Sequence, residues 1–165
     1  MALTVEDGTG VAGANSYVSL ADARAYALAR GATLPAVDAS LEALLIRGMD
    51  YLESKRDIYT GTKTYTDKLQ WPRTDAVIDD LDVAIDFIPE ELKSAQCQLA
   101  IELQTYDPLG STSGQIPKME KVGDIEVQYA VNFLWDFPMP TRLPKVDILL
   151  APLCKNWLNL TTIRI

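Results

Sequence analysis

Histidine is absent from the 165-residue sequence, and this absence excludes more chemistry than any other feature of its composition. A Ser-His-Asp triad, a Cys-His pair and a histidine-ligated metal all require the imidazole ring. Cysteine is scarce as well: Cys97 and Cys154 lie far apart, each in an apolar helical pattern, which favours two small buried thiols over a disulfide. The composition therefore removes whole reaction classes, and we expect the protein to hold no cofactor.

The sequence also contains fewer basic than acidic residues and no long apolar run. Lys and Arg total 15 against 23 Asp and Glu, which gives a formal charge of −8 and a surface field that repels phosphate. The sequence has neither an apolar run near the length of a membrane helix nor the basic and apolar start of a signal peptide. We therefore expect a soluble protein made in the cytosol, with no membrane partner and no basic surface for nucleic acid.

The apolar periodicity predicts four helices in one domain that spans residues 1–165. Helix one covers residues 20–30 behind a Ser19 cap, and helix two opens near Asp38 or Ser40 and carries Leu45 and Met49 on its apolar face. Helix three starts at Pro89, is expected to be central, and has an apolar stripe that includes Leu99, Leu103 and Tyr106. Helix four covers residues 145–158, with Pro152 expected to kink or shorten it.

Extended segments are predicted around these helices. Residues 118–122 and 125–130 flank Gly123-Asp124, and the alternation of Ile125, Val127 and Tyr129 with polar residues predicts a β-hairpin. Residues 1–18 form an N-terminal arm. Residues 159–165 form a β-prone C-terminal tail suited to adding a strand to another chain. The expected fold class is thus mainly α: a small bundle of about four helices with a β-hairpin and extended terminal arms.

Three glycines near the start, Gly8, Gly10 and Gly13, have the spacing of a dinucleotide-binding loop. That fold needs the motif to lead a strand directly into a helix, because the helix N-terminus holds the pyrophosphate. Here Ser19 caps the helix six residues later, after an extended stretch. We therefore interpret the glycines as a sharp turn in the N-terminal arm, either within the subunit or at a contact between subunits.

Two further stretches have both a chemical and a structural interpretation. Residues 76–86 form an irregular, acid-rich passage that lacks calcium-loop spacing, so a solvated acidic loop is favoured over a cation site. The motif Trp71-Pro72-Arg73 pairs an aromatic with a cation, as single-stranded-DNA sites do. Few cations surround it, so we favour Trp71 sealing the core edge and Arg73 pairing with an acid such as Asp75.

Several ordered motifs together resemble one family. They are VEDGTG (residues 5–10) with ANSYVSLADA (14–23), ALLIRGMDYL (43–52), LQWPR (69–73), IP (88–89) before LKSA (92–95), and EKVG (120–123). The set is similar to the head-tail connector or adaptor proteins of tailed bacteriophages, which are often labelled DnaT-like. The resemblance covers residues 3–155, and the passages 72–87 and 132–144 depart from the pattern.

The resemblance implies a non-enzymatic structural protein of the virion neck, assembled in the host cytoplasm. It implies a dodecameric ring of copies of this chain beneath the portal protein ring, contacting the tail or the next neck protein, with DNA only passing through the channel. The predicted portal or inter-subunit contacts are Leu158, Leu160, Ile163, Ile165, Ile125, Val127 and Tyr129. The predicted core anchors are Trp71, Leu45, Met49, Leu99 and Leu103.

Two alternatives stay open at this stage. The DnaT-like label implies a single-stranded-DNA-binding replication accessory, which should have a basic groove lined with aromatics. A small enzyme that uses the acidic passage to hold a metal is disfavoured by the missing histidines. Tight oligonucleotide binding that weakens steeply with salt would favour the first alternative, and a metal-dependent rise in melting temperature would favour the second.

Overall fold

Residues 2–65, 68–109 and 143–155 are described by a computed structural model, together with the backbone of four short strands between residues 119 and 138. The contacts divide the chain into two compact units. The first comprises residues 1–107 and 143–165, and the second comprises residues 108–142. The single-domain organisation of residues 1–165 stays a prediction.

The first unit is built on four helices, and the mainly α fold class is confirmed. The helices are α1 (Leu20–Ala29), α2 (Asp38–Ser54), α3 (Glu90–Glu102) and α4 (Pro144–Leu150). Helix α3 packs against the other three, which is why residues 95–100 are all buried. Among the described residues, no helix combines the length and apolarity that crossing a membrane requires.

The helix ends follow local chemistry. The Oγ of Ser19 accepts a hydrogen bond from the Asp22 N–H at 3.2 Å and caps α1, as predicted. The predicted end of the apolar stripe of α3 was wrong: α3 ends at Glu102, and Tyr106 lies beyond it with 41% of its surface exposed. The fourth helix is shorter than predicted, because a 3-10 turn at Ala151–Leu153 takes over where Pro152 cannot donate a backbone hydrogen bond.

Short antiparallel hairpins join the helices. In the first unit, β1 (Thr62–Lys63) pairs with β2 (Arg73–Thr74), and β3 (Val77–Ile78) pairs with β4 (Leu81–Asp82). In the second unit, β5 (Met119–Val122) pairs with β6 (Ile125–Gln128), and β7 (Phe133–Leu134) pairs with β8 (Phe137–Pro138). The predicted hairpin is confirmed, with Val122 opposite Ile125. Its two connecting residues lie outside the described part.

The prediction of an irregular passage at residues 76–86 was wrong in one respect. Asp79 and Asp80 have φ angles of 50° and 64° and form the two-residue turn between β3 and β4. Two successive left-handed residues match the twist of a tight hairpin, and aspartate tolerates that conformation better than most side chains. The carboxylates of Asp79 and Asp80 therefore lie at the tip of the β3–β4 hairpin.

The core lies between the helices and under the first two hairpins. Its five predicted anchors are all at most 5% exposed: Trp71, Leu45, Met49, Leu99 and Leu103. Gly48 lets α2 approach α3 closely, since a Cβ at that position would lie 3.3 Å from the Cβ of Leu99. The ring of Trp71 packs edge-on against Tyr59, with 6.1 Å between ring centroids.

Candidate functional site

The glycine loop of the N-terminal arm already holds an anion, and that anion is the protein's own Glu6. Glu6 is 1% exposed, and its Oε1 accepts hydrogen bonds from the backbone N–H groups of Gly8 at 2.9 Å and Gly10 at 2.8 Å. Its Oε2 accepts one from Val11 at 2.9 Å. A dinucleotide-binding loop would turn such donors toward pyrophosphate. Here an internal carboxylate occupies them, so the loop is a structural clamp.

The loop is fitted to its own subunit. Gly8 has a φ of +104°, and a Cβ there would lie 1.8 Å from the carbonyl oxygen of Asp86. Gly10 has a φ of +77°, and a Cβ there would meet the ring of Tyr65 at 2.8 Å. Only glycine suits both the left-handed backbone and these close approaches. Of the two interpretations left open by the sequence, these two glycines fit the turn within the subunit.

A groove on the first unit combines exposed apolar and acidic side chains. We call it the acidic groove; it is a cavity of about 340 Å³ lined by Ile78, Asp79, Leu81, Asp82, Val83, Ala84, Phe87 and Glu91. Leu81 is 71% exposed and Phe87 is 44% exposed. Residues 75–91 contain seven of the 23 acidic residues and none of the 15 basic ones, so the rest of the chain is nearly neutral. Three of these seven acids, Asp79, Asp82 and Glu91, line the groove and give it a negative field.

A second groove of the first unit has the opposite charge. We call it the basic groove; it is a cavity of about 400 Å³ lined by Tyr26, Arg30, Ala32, Gln98, Ile101, Lys145, Ile148 and Leu149. The guanidinium carbon of Arg30 lies 3.4 Å from the centroid of the Tyr26 ring, a cation–π contact that holds the cation at the groove. Ile148 is 71% exposed. Glu102 lies beside the groove and accepts a hydrogen bond from Gln98 at 2.8 Å.

Many other cations of the described part are engaged by neighbouring groups. Lys55 lies over the ring of Tyr51, with its Nζ 4.6 Å from the ring centroid. The ion pairs are Arg24–Asp38 at 2.7 Å, Arg47–Asp107 at 2.8 Å, Arg56–Asp57 at 3.8 Å and Lys93–Glu90 at 2.6 Å. The ion pairs offset positive charge at separate places on the surface. They therefore weaken the positive electrostatic potential that binding of a phosphate backbone requires.

The Trp-Pro-Arg motif is part of the interior. Trp71 is fully buried and Arg73 is 5% exposed, so the motif presents no stacking surface. The predicted pairing of Arg73 with Asp75 was wrong, because Arg73 instead donates to the backbone carbonyls of Thr60 at 2.6 Å and Gly61 at 2.9 Å. Burial lowers the pKa of Arg73. The guanidinium therefore ties a loop together instead of contacting an external ligand.

A polar network crosses the same region. Glu53 accepts hydrogen bonds from the backbone N–H of Gln70 at 2.9 Å and from the hydroxyl of Tyr17 at 3.4 Å. The Tyr17 hydroxyl in turn accepts one from the backbone N–H of Trp71 at 3.0 Å. Burial raises the pKa of Glu53 and that of Tyr17. Each member has a partner within the protein, and none lines either charged groove. The network therefore holds α2 to the segment around Trp71.

The free thiols are likewise structural. Cys97 is buried on α3, and burial raises its pKa to about 12. Cys154 is half-buried, and burial raises its pKa to about 11. Both thiols stay protonated near neutral pH and are poor nucleophiles. In the part of the chain that the structure describes, no three His, Cys, Asp or Glu residues are grouped to hold a metal ion.

The predicted contact residues are not among those that line the two grooves. Ile125 and Val127 are in β6 of the second unit. Leu158, Leu160, Ile163, Ile165 and Tyr129 lie outside the described residues. The role of all seven at a portal or subunit contact stays a prediction.

Sequence reasoning missed both grooves and the clamp. An acid two residues before a Gly-x-Gly pattern could have indicated that the loop binds its own carboxylate. Adjacent aspartates between Val77-Ile78 and Leu81 could have indicated the hairpin of the acidic groove. The basic groove has no such local signal, because α1, α3 and α4 each supply part of it.

Together, the fold and the grooves define a small, mainly helical protein with one acidic and one basic groove in its described part. The comparison with family models matches residues 1–165 to the family described as "Putative DnaT-like ssDNA binding protein". The chain belongs to this DnaT-like family. No curated protein and no solved structure matches it.

Proposed function

We propose that this protein is a non-enzymatic structural subunit of a bacteriophage neck, which forms a ring that joins the portal to the tail and helps retain the packaged genome. It works by contacts between proteins: with the portal ring, with copies of itself, and with the tail or the next neck protein. Its site of action is the virion neck, and DNA only passes through the ring.

The observation that carries this proposal is the acidic groove. Exposed apolar side chains such as Leu81 and Phe87 gain free energy when a partner covers them, at about 25 cal/mol per Å² of apolar surface. The carboxylates around them repel a phosphate backbone and attract cationic side chains. A protein partner fits such a surface, and a nucleic acid does not.

The ordered motifs that resemble head-tail connectors support the more specific role. A ring subunit needs a rigid body, and here α3 lies at the centre of a helical bundle that fixes the charged surfaces. An acidic surface facing a channel would also let DNA pass without adhering, because like charges repel. The absence of histidine supports the non-enzymatic assignment.

A single-stranded-DNA-binding replication accessory is the second candidate. The family description supports it more directly than it supports the neck role. Within the described residues, the basic groove is the feature that would serve it, since Tyr26 could stack on a base while Arg30 and Lys145 contact phosphates. Two cations and one half-buried aromatic form a short site, and the net charge of −8 of the chain opposes it.

Two experiments separate these functions. Electron microscopy of the protein mixed with portal rings of the same phage should show an added ring of density at one face of the portal. Fluorescence anisotropy with labelled oligo(dT) should show at most weak binding at physiological salt, no tighter than non-specific complexes of about 10⁻⁴ M. Sub-micromolar DNA binding that falls steeply with salt and is lost in Arg30→Glu/Lys145→Glu, with no density on the portal, would replace the neck role by the second candidate.

A further inference from the structure

We infer that the acidic groove of one copy binds the basic groove of the next, so that the two grooves form a head-to-tail interface. The inference deepens the proposed function and rests on it for the closure of the assembly into a ring. The occupant of each groove is a second copy of this chain.

The acidic side of this interface has a defined shape. The β3–β4 hairpin projects Leu81, which is 71% exposed, and Asp82 follows it directly on β4. Glu91 closes the groove from the first turn of α3. With no Lys or Arg between residues 75 and 91, none of the charge of this segment is cancelled from within it. Any cation that pairs with Asp82 or Glu91 must therefore come from outside this segment.

The basic side supplies such cations. Arg30 and Lys145 are the charged residues that line the basic groove, one at the end of α1 and the other in the first turn of α4. Ile148, which lines the same groove, is 71% exposed. Each groove thus presents one protruding aliphatic side chain, Leu81 or Ile148, beside charges of a single sign. The acidic groove has three of them, Asp79, Asp82 and Glu91, and the basic groove has two.

The complementarity is between different surfaces of the same unit. Both grooves belong to the first unit, and no residue lines both. When two different patches of one chain bind each other, every bound copy still offers one free patch of each kind. The association therefore repeats, and it closes into a ring where the rotation between neighbours allows. Charges at a rim accelerate the encounter and fix the register, so the association should weaken as salt increases.

Charge reversal tests the pairing directly. The acid-reversed variant is Asp82→Lys/Glu91→Lys, which avoids the left-handed positions Asp79 and Asp80. The base-reversed variant is Arg30→Glu/Lys145→Glu. A control, Asp50→Lys/Asp57→Lys, makes the same change in net charge as the acid-reversed variant at two exposed residues that line neither groove. Sedimentation velocity up to about 1 mM protein, in low and high salt, measures association down to the weakest specific affinities.

The expected pattern is specific. The wild type and the control should associate with increasing concentration in low salt and dissociate in high salt. Each reversed variant alone should lose at least about tenfold in association constant, because like charges then face each other. An equimolar mixture of the two variants should associate again, and so should a chain that carries all four reversals. Circular dichroism and thermal melting establish that each variant is folded, and Asp82→Asn/Glu91→Gln replaces an unfolded acid variant.

Other results overturn the inference. A wild type that stays monomeric throughout, or a mixture that fails to associate, shows that the two grooves do not bind each other. If the acid-reversed variant loses association but the base-reversed variant keeps it, the acidic groove binds a different surface. These outcomes concern the contact between copies. Failure of the proposed neck role would instead appear as absence of density on the portal.

Discussion

The clamp around Glu6 gives the sharpest prediction of stability. Glu6 is 1% exposed and accepts three backbone hydrogen bonds, from Gly8, Gly10 and Val11, at 2.8 to 2.9 Å. A hydrogen bond to a charged group contributes about 1.5–3 kcal/mol, and a buried donor left unpaired costs about 1–3 kcal/mol. Glu6→Ala removes the acceptor from all three donors at once, so the loop loses what holds its left-handed turns.

The contributions of three neighbouring hydrogen bonds do not add fully, and water can reach the half-buried donors. We therefore expect Glu6→Ala to lower the free energy of unfolding by about 3–5 kcal/mol. Glu6→Gln keeps the oxygen that serves Gly8 and Gly10, but turns an amide donor toward the N–H of Val11. Its expected loss is about 1–3 kcal/mol.

Urea denaturation followed by tryptophan fluorescence and far-UV circular dichroism measures both losses. Asp7→Asn is the matched control, because Asp7 is the neighbouring acid, lies exposed, and accepts hydrogen bonds only from Thr9. Its unfolding midpoint should stay close to that of the wild type. If Glu6→Ala were as stable as Asp7→Asn, the carboxylate would not hold the loop, and the structural interpretation of the glycine motif would fail.

Four further substitutions test the glycine loop and the buried polar groups. Gly8→Ala should cost several kcal/mol more than Gly13→Ala in urea denaturation, because the first adds a clash to left-handed strain of about 1–2 kcal/mol and the second adds only strain. Gln96→Leu should cost about 3 kcal/mol, since the buried N–H of Tyr17 loses its acceptor; equal stability would refute the role of that bond. Burial raises the pKa of Glu53, because the folded protein favours the protonated carboxyl. The contribution of Glu53 to the stability of the folded protein is therefore fully present below pH 4.5 and is lost as the pH rises through the pKa of the folded state. Glu53→Gln should gain stability relative to the wild type between pH 4.5 and 7, and a flat difference in unfolding midpoints over that range would contradict this assignment.

The helices were predictable because their signals are local. The Ser19 cap, the apolar spacing of α2 and the proline before α3 each act within a few residues, and all three helices begin where these signals place them. The β5–β6 hairpin was predictable for the same reason, since alternation and a two-residue turn determine its register.

The error at Arg73 arose because groups distant in the sequence compete for its guanidinium. Arg73 has an acid two residues away, yet the folded chain offers it the carbonyls of Thr60 and Gly61 in the interior. A buried guanidinium with fixed carbonyl partners forms better hydrogen bonds than one that pairs with a mobile, solvated carboxylate. The spacing of residues along the sequence does not show which of these partners the folded chain offers to Arg73.

By itself, the sequence determined which helices form, which reaction classes lack their side chains, and where the negative charge accumulates along the chain. Those properties follow from residue identity and near neighbours. Only the tertiary structure decided that the glycine loop encloses Glu6, that an acidic hairpin forms the wall of a groove, and that Arg30 and Lys145 meet in a second groove. Such sites depend on packing between helices, because proximity in space is set by the core and not by separation along the chain.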